Sequence, residues 1–190
     1  MLQINIEKDI YFQNLKSVFD DMAKGYDRVA NQFAFDCKGC TDSCCLTLFY
    51  HHTLIEYLYL KQGLSTLDNE VLKEVRIKSE AQVGALKRQD PKKPFRKMCP
   101  LNIDGLCILY EYRPMICRLH GVYHELRKPG GPPLKGPGCD LFMDLSGSKD
   151  YNPLDRTPFY IQLASLEKQL REETGMNQRI KMTIAEIILD

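Results

Sequence analysis

Four of the chain's eight cysteines lie within nine residues, in the segment CKGCTDSCC that runs from residue 37 to residue 45. These four are Cys37, Cys40, Cys44 and Cys45, and the other four follow at Cys99, Cys107, Cys117 and Cys139. Both ends of the chain have none. A chain of 190 residues buries enough apolar surface to fold without cross-links. The clustering of cysteines in the middle of the chain therefore indicates a chemical role rather than a need for disulfide cross-links.

Two of the chemistries that use clustered cysteines fit this chain poorly. Charges at Glu7, Lys8 and Asp9 interrupt the N-terminus before any apolar run of signal-peptide length, and no segment has the roughly 20 apolar residues of a membrane span. The sequence thus predicts a cytoplasmic protein with no membrane partner, and a reducing cytoplasm disfavours structural disulfides. A thioredoxin-like redox pair at Cys37 and Cys40 lacks the strand-then-helix context that such a motif needs.

Metal ligation is the interpretation that we favour. A Cys-x-x-Cys turn wraps its backbone around one metal centre, as in zinc knuckles and iron–sulfur loops. Adjacent side chains diverge by about 100° in a helix and about 180° in a strand, so Cys44 and Cys45 more readily serve two ions or two corners of one cluster. The sequence therefore predicts that metal ions bind in two nearby sites or in one polynuclear site, through all eight thiolates: Cys37, Cys40, Cys44, Cys45, Cys99, Cys107, Cys117 and Cys139.

The same residues carry a resemblance to a known family. The segment CKGCTDSCC, followed by Cys99-Pro100, Gly105 to Tyr110 and Arg113 to Arg118, resembles the YkgJ-type cysteine cluster family, whose CxxCxxCC motif belongs to a domain described as zinc- or iron-chelating. This similarity covers residues 37 to 140, although three residues rather than two precede the paired cysteines here. The resemblance implies metal chelation and no particular reaction. A related cluster is similar to part of flagellin lysine N-methylase, which keeps an enzymatic role open.

Thiolate ligands suit zinc and iron–sulfur clusters alike, so the sequence leaves two candidate cofactors. Zinc (Zn2+) fits closed all-thiolate sites with no redox demand, and we take it as the expected metal. Iron or a 4Fe–4S cluster is the alternative, and it would make the protein an iron–sulfur enzyme or redox protein. No paired carboxylates, nucleophile elbow, phosphate loop or nucleotide fingerprint is present, so the sequence names no catalytic residue.

Residues around the cysteines suggest supporting roles. Arg113 and Arg118 flank Cys117 and are predicted to donate hydrogen bonds to sulfur, while Pro114 is predicted to open a short helix that carries Cys117. His120 has ligand-like spacing from Cys117, but eight cysteines already fill two tetrahedral sites. The pair His51 and His52 is predicted to cap a helix or to lie on the surface.

The remaining pattern predicts a mostly α fold, with amphipathic helices wrapped around an irregular cysteine-rich metal-binding core and little strand. We expect one globular unit made of an N-terminal helix within 1–36, a cysteine-cluster domain at 37–140 and C-terminal helices at 141–190. The N-terminal helix has an apolar stripe with heptad rhythm, formed by Phe12, Leu15, Phe19, Met22, Tyr26, Val29 and Phe33. It fits either a homodimer arm or, as we favour, a helix packed on its own domain.

Local signals predict where the other helices begin and end. Thr53 and Glu56 have capping-box spacing, with Gly63 as the stop, and a second helix is predicted from about Asn69 to Arg88. Thr157-Pro158 and the pair Thr183 and Glu186 each mark a later helix start. The Pro/Gly segment from residue 127 to residue 138 is predicted to be irregular.

Charge gives little indication of a partner. The formal net charge is +1. The basic stretch KRQDPKKPFRK, from residue 87 to residue 97, is interpreted as a solvated linker, because it lacks the interleaved aromatic residues of a nucleic-acid surface. Nucleic acid is therefore disfavoured, and the expected partners are metal ions and a protein partner or second copy on the N-terminal helix.

Overall fold

The computed structural model describes residues 8–36, 44–147 and 152–190, and within them the predicted mostly α fold with little strand is confirmed. The helices are α1 (Lys8–Asn31), α2 (Leu54–Leu64), α3 (Asn69–Lys87), α4 (Met115–Leu119), α5 (Asp140–Ser146), α6 (Thr157–Thr174) and α7 (Ile184–Leu189). The strands are β1 (Asn102–Ile103), β2 (Leu106–Cys107), β3 (His124–Leu126), β4 (Leu134–Gly136) and β5 (Leu154–Asp155). None of these helices is long and apolar enough to cross a membrane.

The chain divides into two compact units, and each unit combines separate parts of the sequence. Unit 1 comprises Cys45–Pro114 and Leu170–Asp190. Unit 2 comprises, among the described residues, 8–36, Cys44, 115–147 and 152–169. Each unit thus draws on more than one of the three segments predicted from the sequence.

Unit 1 is built on three helices, α2, α3 and α7. Helix α2 is buried on nearly all sides and packs against α7 and a single 3-10 turn at Tyr110–Tyr112. Helix α3 begins where Asp68 accepts a hydrogen bond from the Val71 N–H, at 2.9 Å, and it packs against α7. The start of α7 has the predicted capping box, since Thr183 and Glu186 each bond the other's main-chain N–H.

Unit 2 packs α1 against α4 and β5, beside a small sheet in the order β4-β3-β5. Strand β3 runs antiparallel to β4 and parallel to β5. After α1 ends, the rings of Phe33 and Phe35 both meet the ring of Phe142 edge-on, at centroid distances of 5.3 and 5.2 Å. The apolar stripe of α1 is buried within the chain at Phe12, Leu15, Phe19, Met22 and Val29. A homodimer through this helix stays a prediction.

Several local predictions are corrected. Gly63 is not the stop of α2, because the helix continues to Leu64 and the Tyr112 ring occupies the place where a side chain would project at residue 63. The Pro/Gly segment is not wholly irregular, since Leu134–Gly136 pairs with β3. His51 is neither a cap nor a surface residue: its side chain is buried, and its main chain forms a β-bridge with Met182.

Candidate metal centre

Two distant cysteines of unit 1 lie on adjoining backbone segments. Cys45 belongs to a single 3-10 turn at Cys44–Leu46, and the residue after that turn, Thr47, forms an antiparallel bridge with Arg96. Three residues beyond Arg96, the main-chain N–H of Cys99 donates to the carbonyl oxygen of Cys45 at 2.9 Å. The bridge and this bond together hold the Cys45 and Cys99 backbones side by side.

A third cysteine reaches the same place through the hairpin formed by β1 and β2. Its two loop residues, Asp104 and Gly105, have φ of 51° and 85°, the left-handed pair of a tight two-residue turn, in which Gly and Asp are favoured. The Asn102 side-chain oxygen accepts the Gly105 N–H at 3.1 Å and closes the turn. In this register Cys107 lies opposite Asn102, and Asn102 follows Cys99 by three residues.

The thiols of Cys45, Cys99 and Cys107, called here the three-thiol cluster, are close enough to influence one another electrostatically. Burial, with smaller contributions from the neighbouring Cys45 and Cys107, raises the pKa of Cys99 to about 12, while a hydrogen bond from the Leu101 main chain acts in the opposite direction. Cys99 is not in a disulfide. The three sulfurs therefore come from separate chain segments into one partly buried region.

Helix α3 anchors the segment that carries Cys99. The side-chain amide of Gln82, itself buried, donates to the main-chain oxygens of Lys97 and Met98 at 3.2 and 3.3 Å. Leu101 fills the core on the other side of Cys99 and is also buried. The Cys99 backbone is thus fixed before and after the cysteine, which is the kind of outer support that orients metal ligands.

The donor chemistry of the three-thiol cluster fits a thiophilic metal ion. Thiolates are preferred ligands of zinc and of iron in iron–sulfur clusters, and the Leu101 bond to Cys99 is of the type that stabilises sulfur bearing negative charge. Within residues 8–36, 44–147 and 152–190, no three His, Cys, Asp or Glu side chains converge closely enough to hold one ion. Cys37 and Cys40, predicted as ligands, lie outside these residues.

Unit 2 contains two further cysteines, and a main-chain hydrogen bond connects the segments that carry them. Cys117 is the third residue of α4, as expected from Pro114, and Cys139 immediately precedes α5. The Cys139 N–H donates to the carbonyl oxygen of Gly121 at 2.8 Å, four residues beyond Cys117. Cys44 also belongs to unit 2, so the adjacent pair Cys44 and Cys45 is divided between the units.

The two arginines that flank Cys117 have aromatic partners. The guanidinium of Arg113 lies 3.4 Å from the ring centroid of Tyr110, and its Nε donates to the Tyr110 carbonyl oxygen at 3.1 Å. The guanidinium of Arg118 lies 4.0 Å from the ring centroid of Phe19. Both contacts are cation–π interactions, and the predicted bonds to sulfur stay a prediction.

Sequence reasoning missed two supports of the three-thiol cluster. The Leu101 amide follows Cys99 by two residues, a spacing that could have suggested a turn with an N–H aimed at sulfur. Gln82 gave no signal, because its role depends on the packing of α3 beside residues 97–98. Comparisons with protein-family models, curated proteins and solved structures gave no match to this chain.

Proposed function

We propose that this protein binds metal through cysteine thiolates, with zinc as the expected ion, in the reducing environment of the cytoplasm. The observation that supports it is the proximity of three cysteines from separate segments of unit 1: the Cys99 N–H donates to the Cys45 carbonyl oxygen, and Cys45 and Cys107 both act on the pKa of Cys99. A metal ion would be held by these three sulfurs and completed by a further ligand. Cys44, Cys117 and Cys139 of unit 2, with Cys37 and Cys40, would supply a second site or the rest of a polynuclear one.

The backbone geometry supports a ligand role for Cys99 in particular. Its sulfur receives the Leu101 main-chain bond, and its own N–H is satisfied by Cys45. A bound cation would offset the repulsion among three neighbouring thiolates, which is the cost of placing them together. Metal binding would also hold the hairpin of β1 and β2 against the Cys45 turn, because its ligands lie on both.

The first test is metal analysis of protein purified without air. We expect at least one equivalent of a transition metal per chain. A colourless sample containing zinc supports the proposed ion, whereas a brown sample with iron and acid-labile sulfide supports the iron–sulfur alternative. A folded sample with less than one equivalent of any transition metal overturns the proposal.

The second test assigns the metal to the three-thiol cluster. Cys99→Ser is expected to remove metal from unit 1 or to weaken its binding at least about 100-fold, because a hydroxyl replaces a soft thiolate. Met98→Leu is the matched control, since Met98 is the exposed neighbour of Cys99 and the change keeps an apolar side chain of similar size. Equal metal content and affinity in both variants would exclude Cys99 as a ligand.

A further inference from the structure

An arginine in unit 2 is buried, and within residues 8–36, 44–147 and 152–190 no carboxylate pairs with it. Arg156 is 5% exposed, and its Nε–H is buried with no hydrogen-bond acceptor in the described part of the chain. One terminal nitrogen donates to the main-chain oxygen of Leu119, at the end of α4. Burial lowers the pKa of Arg156 to about 10, so the guanidinium still carries its charge at neutral pH.

The alternation of β5 separates Arg156 from the nearby acidic residues. Successive residues of an extended strand point to opposite faces, so Arg156 follows Leu154, which is buried, while Asp155 points to the other face. Glu125 and Asp155 are both directed to Arg127: the distances from its guanidinium nitrogens are 2.7 Å to Glu125 and 3.8 Å to Asp155. The two carboxylates of this sheet therefore form ion pairs with the exposed Arg127.

Two phenol hydroxyls near Arg156 can donate hydrogen bonds to an anion. The ionisable side chains that act on its charge are the phenols of Tyr26 and Tyr160, and Arg156 in turn lowers the pKa of His124, on which burial has the larger effect. The His124 imidazole lies against Gly136 of the neighbouring strand, in the place where a Cβ would project, and its Nδ1 lies 3.3 Å from the Val122 oxygen. Within the described residues of unit 2, the Arg156 guanidinium therefore has two phenols and one imidazole near it.

We propose that this region, called here the Arg156 site, binds a small oxyanion such as phosphate, sulfate or a carboxylate. A compensating negative charge would stabilise this buried guanidinium, and no carboxylate of the described residues pairs with Arg156. An oxyanion would accept the Nε–H of Arg156 and further bonds from the hydroxyls of Tyr26 and Tyr160. Arginine is well suited to this task because its planar donors match the oxygens of phosphate and carboxylate groups.

Calorimetric titration of the metal-loaded full chain with inorganic phosphate, in a buffer free of phosphate and sulfate, tests the Arg156 site. We expect saturable binding of one phosphate per chain that is at least about 10-fold weaker in Arg156→Met, because a charged hydrogen-bonding partner is lost. Arg156→Lys should recover only part, since lysine keeps the charge and loses the fork. Parallel titrations with sulfate and acetate show which oxyanion class binds best.

Controls keep this test independent of folding and of metal binding. Arg127→Met removes an exposed arginine from the same sheet and should leave phosphate binding unchanged. Arg156→Met should fold with an equal or higher Tm without phosphate, because it removes a buried charge. If it fails to fold, Tyr160→Phe, which removes only a hydroxyl, should weaken binding several-fold.

No saturable binding to the parent protein, or equal binding by Arg156→Met, overturns the proposal. Loss of metal from Arg156→Met with phosphate binding intact also overturns it and assigns Arg156 to the thiolates.

Discussion

The main-chain N–H of Cys99 donates to the carbonyl oxygen of Cys45 at 2.9 Å, and this bond joins two cysteines that are distant in sequence. Because it uses only backbone atoms, replacing either side chain should leave the two segments in place. Substitutions of the thiols in unit 1 therefore report on metal ligation more than on folding.

If Cys45 and Cys107 bind the same ion, their substitutions should not be additive. Cys45→Ser and Cys107→Ser are each expected to lower the metal content by one ion, and the double variant should lose no more than either single variant. The comparison pair is Cys45→Ser with Cys139→Ser, since Cys139 belongs to unit 2. Metal analysis of the three single variants and the two double variants measures these losses.

The comparison pair decides between the two arrangements predicted from the sequence. Two separate sites require Cys45→Ser with Cys139→Ser to lose more metal than either single variant. A loss no greater than that of one variant would instead indicate one polynuclear site that includes both cysteines. Additive losses for Cys45 and Cys107 would contradict their sharing an ion.

A close backbone approach positions Cys139, and a glycine permits it. A Cβ at Gly138 would lie 2.6 Å from the Gly121 carbonyl oxygen and would also collide with Phe142. Gly138→Ala should therefore disturb the 2.8 Å bond from Cys139 to Gly121 and cost about 1–3 kcal/mol of stability, as overpacked sites do. Thermal unfolding measures the cost, and the rate of thiol labelling at Cys139 in metal-free protein should rise.

Gly131→Ala is the control for this glycine, because Gly131 lies in the same Pro/Gly segment, before β4, and a Cβ there would meet nothing within 4 Å. Its stability should stay within about 0.5 kcal/mol of the parent. Equal effects at the two glycines would mean that the approach of Gly138 to Gly121 does not constrain Cys139.

The features that sequence predicted well are those decided by neighbouring residues. Thr183 and Glu186 form their capping box because both partners lie within one turn. The predicted start of α3 at about Asn69 also agrees with the structure. The start of α6 at Thr157 also followed from its proline.

The features that sequence missed depend on distant contacts. Strand β4 forms because it pairs with β3, and the sequence of the Pro/Gly segment does not predict this pairing. The buried face of α3 runs through Val75, Ser79 and Gln82, whereas the apolar residue Ala81 is exposed. Gln82 occupies that face because its amide bonds the backbone before Cys99, a contact that apolar periodicity cannot reveal.

The approach of Gly63 to Tyr112 offers a second glycine test, in unit 1. A Cβ at Gly63 would lie 2.5 Å from the Tyr112 ring, so Gly63→Ala should lower the free energy of unfolding by about 1–3 kcal/mol. Gly84→Ala in α3 is the matched control, since the nearest side chain is the flexible end of Arg88 at 3.5 Å. It should gain about 0.5–1 kcal/mol from helix propensity. Denaturant unfolding of both variants would show opposite signs, and a shared sign would contradict the packing argument.

Arg118 should respond to substitution in two measurable ways. Its guanidinium lies 4.0 Å from the Phe19 ring centroid, so Arg118→Ala should cost about 0.5–1 kcal/mol of stability. The sequence-based prediction that Arg118 neutralises thiolate charge adds metal binding that is about 10- to 100-fold weaker. Arg118→Lys should restore part of the metal affinity. Competition with graded chelators measures that affinity, and an unchanged value in Arg118→Ala would restrict the residue to its contact with Phe19.

Protonation of His51 should make the folded state sensitive to acid. The side chain is 2% exposed and its Nε2 has no hydrogen-bond partner in the described part of the chain. Burial, with a smaller contribution from His52, lowers the pKa of His51 from 6.5 to about 4. The unfolded chain therefore takes up a proton near pH 6.5, and the folded chain only near pH 4. This contribution to stability is complete above pH 6.5 and is lost as the pH falls towards 4, up to about 3 kcal/mol.

Denaturant unfolding at pH 7 and pH 4.5 measures this loss. In His51→Phe, which keeps a planar ring and removes the titrating group, the decrease between the two pH values should be smaller than in the parent by about 2–3 kcal/mol. The control is His52→Gln, because His52 is exposed and adjacent, and most of the parent's decrease should persist there. If His51→Phe loses as much stability on acidification as the parent, the acid sensitivity arises from other groups and the buried imidazole is not its cause.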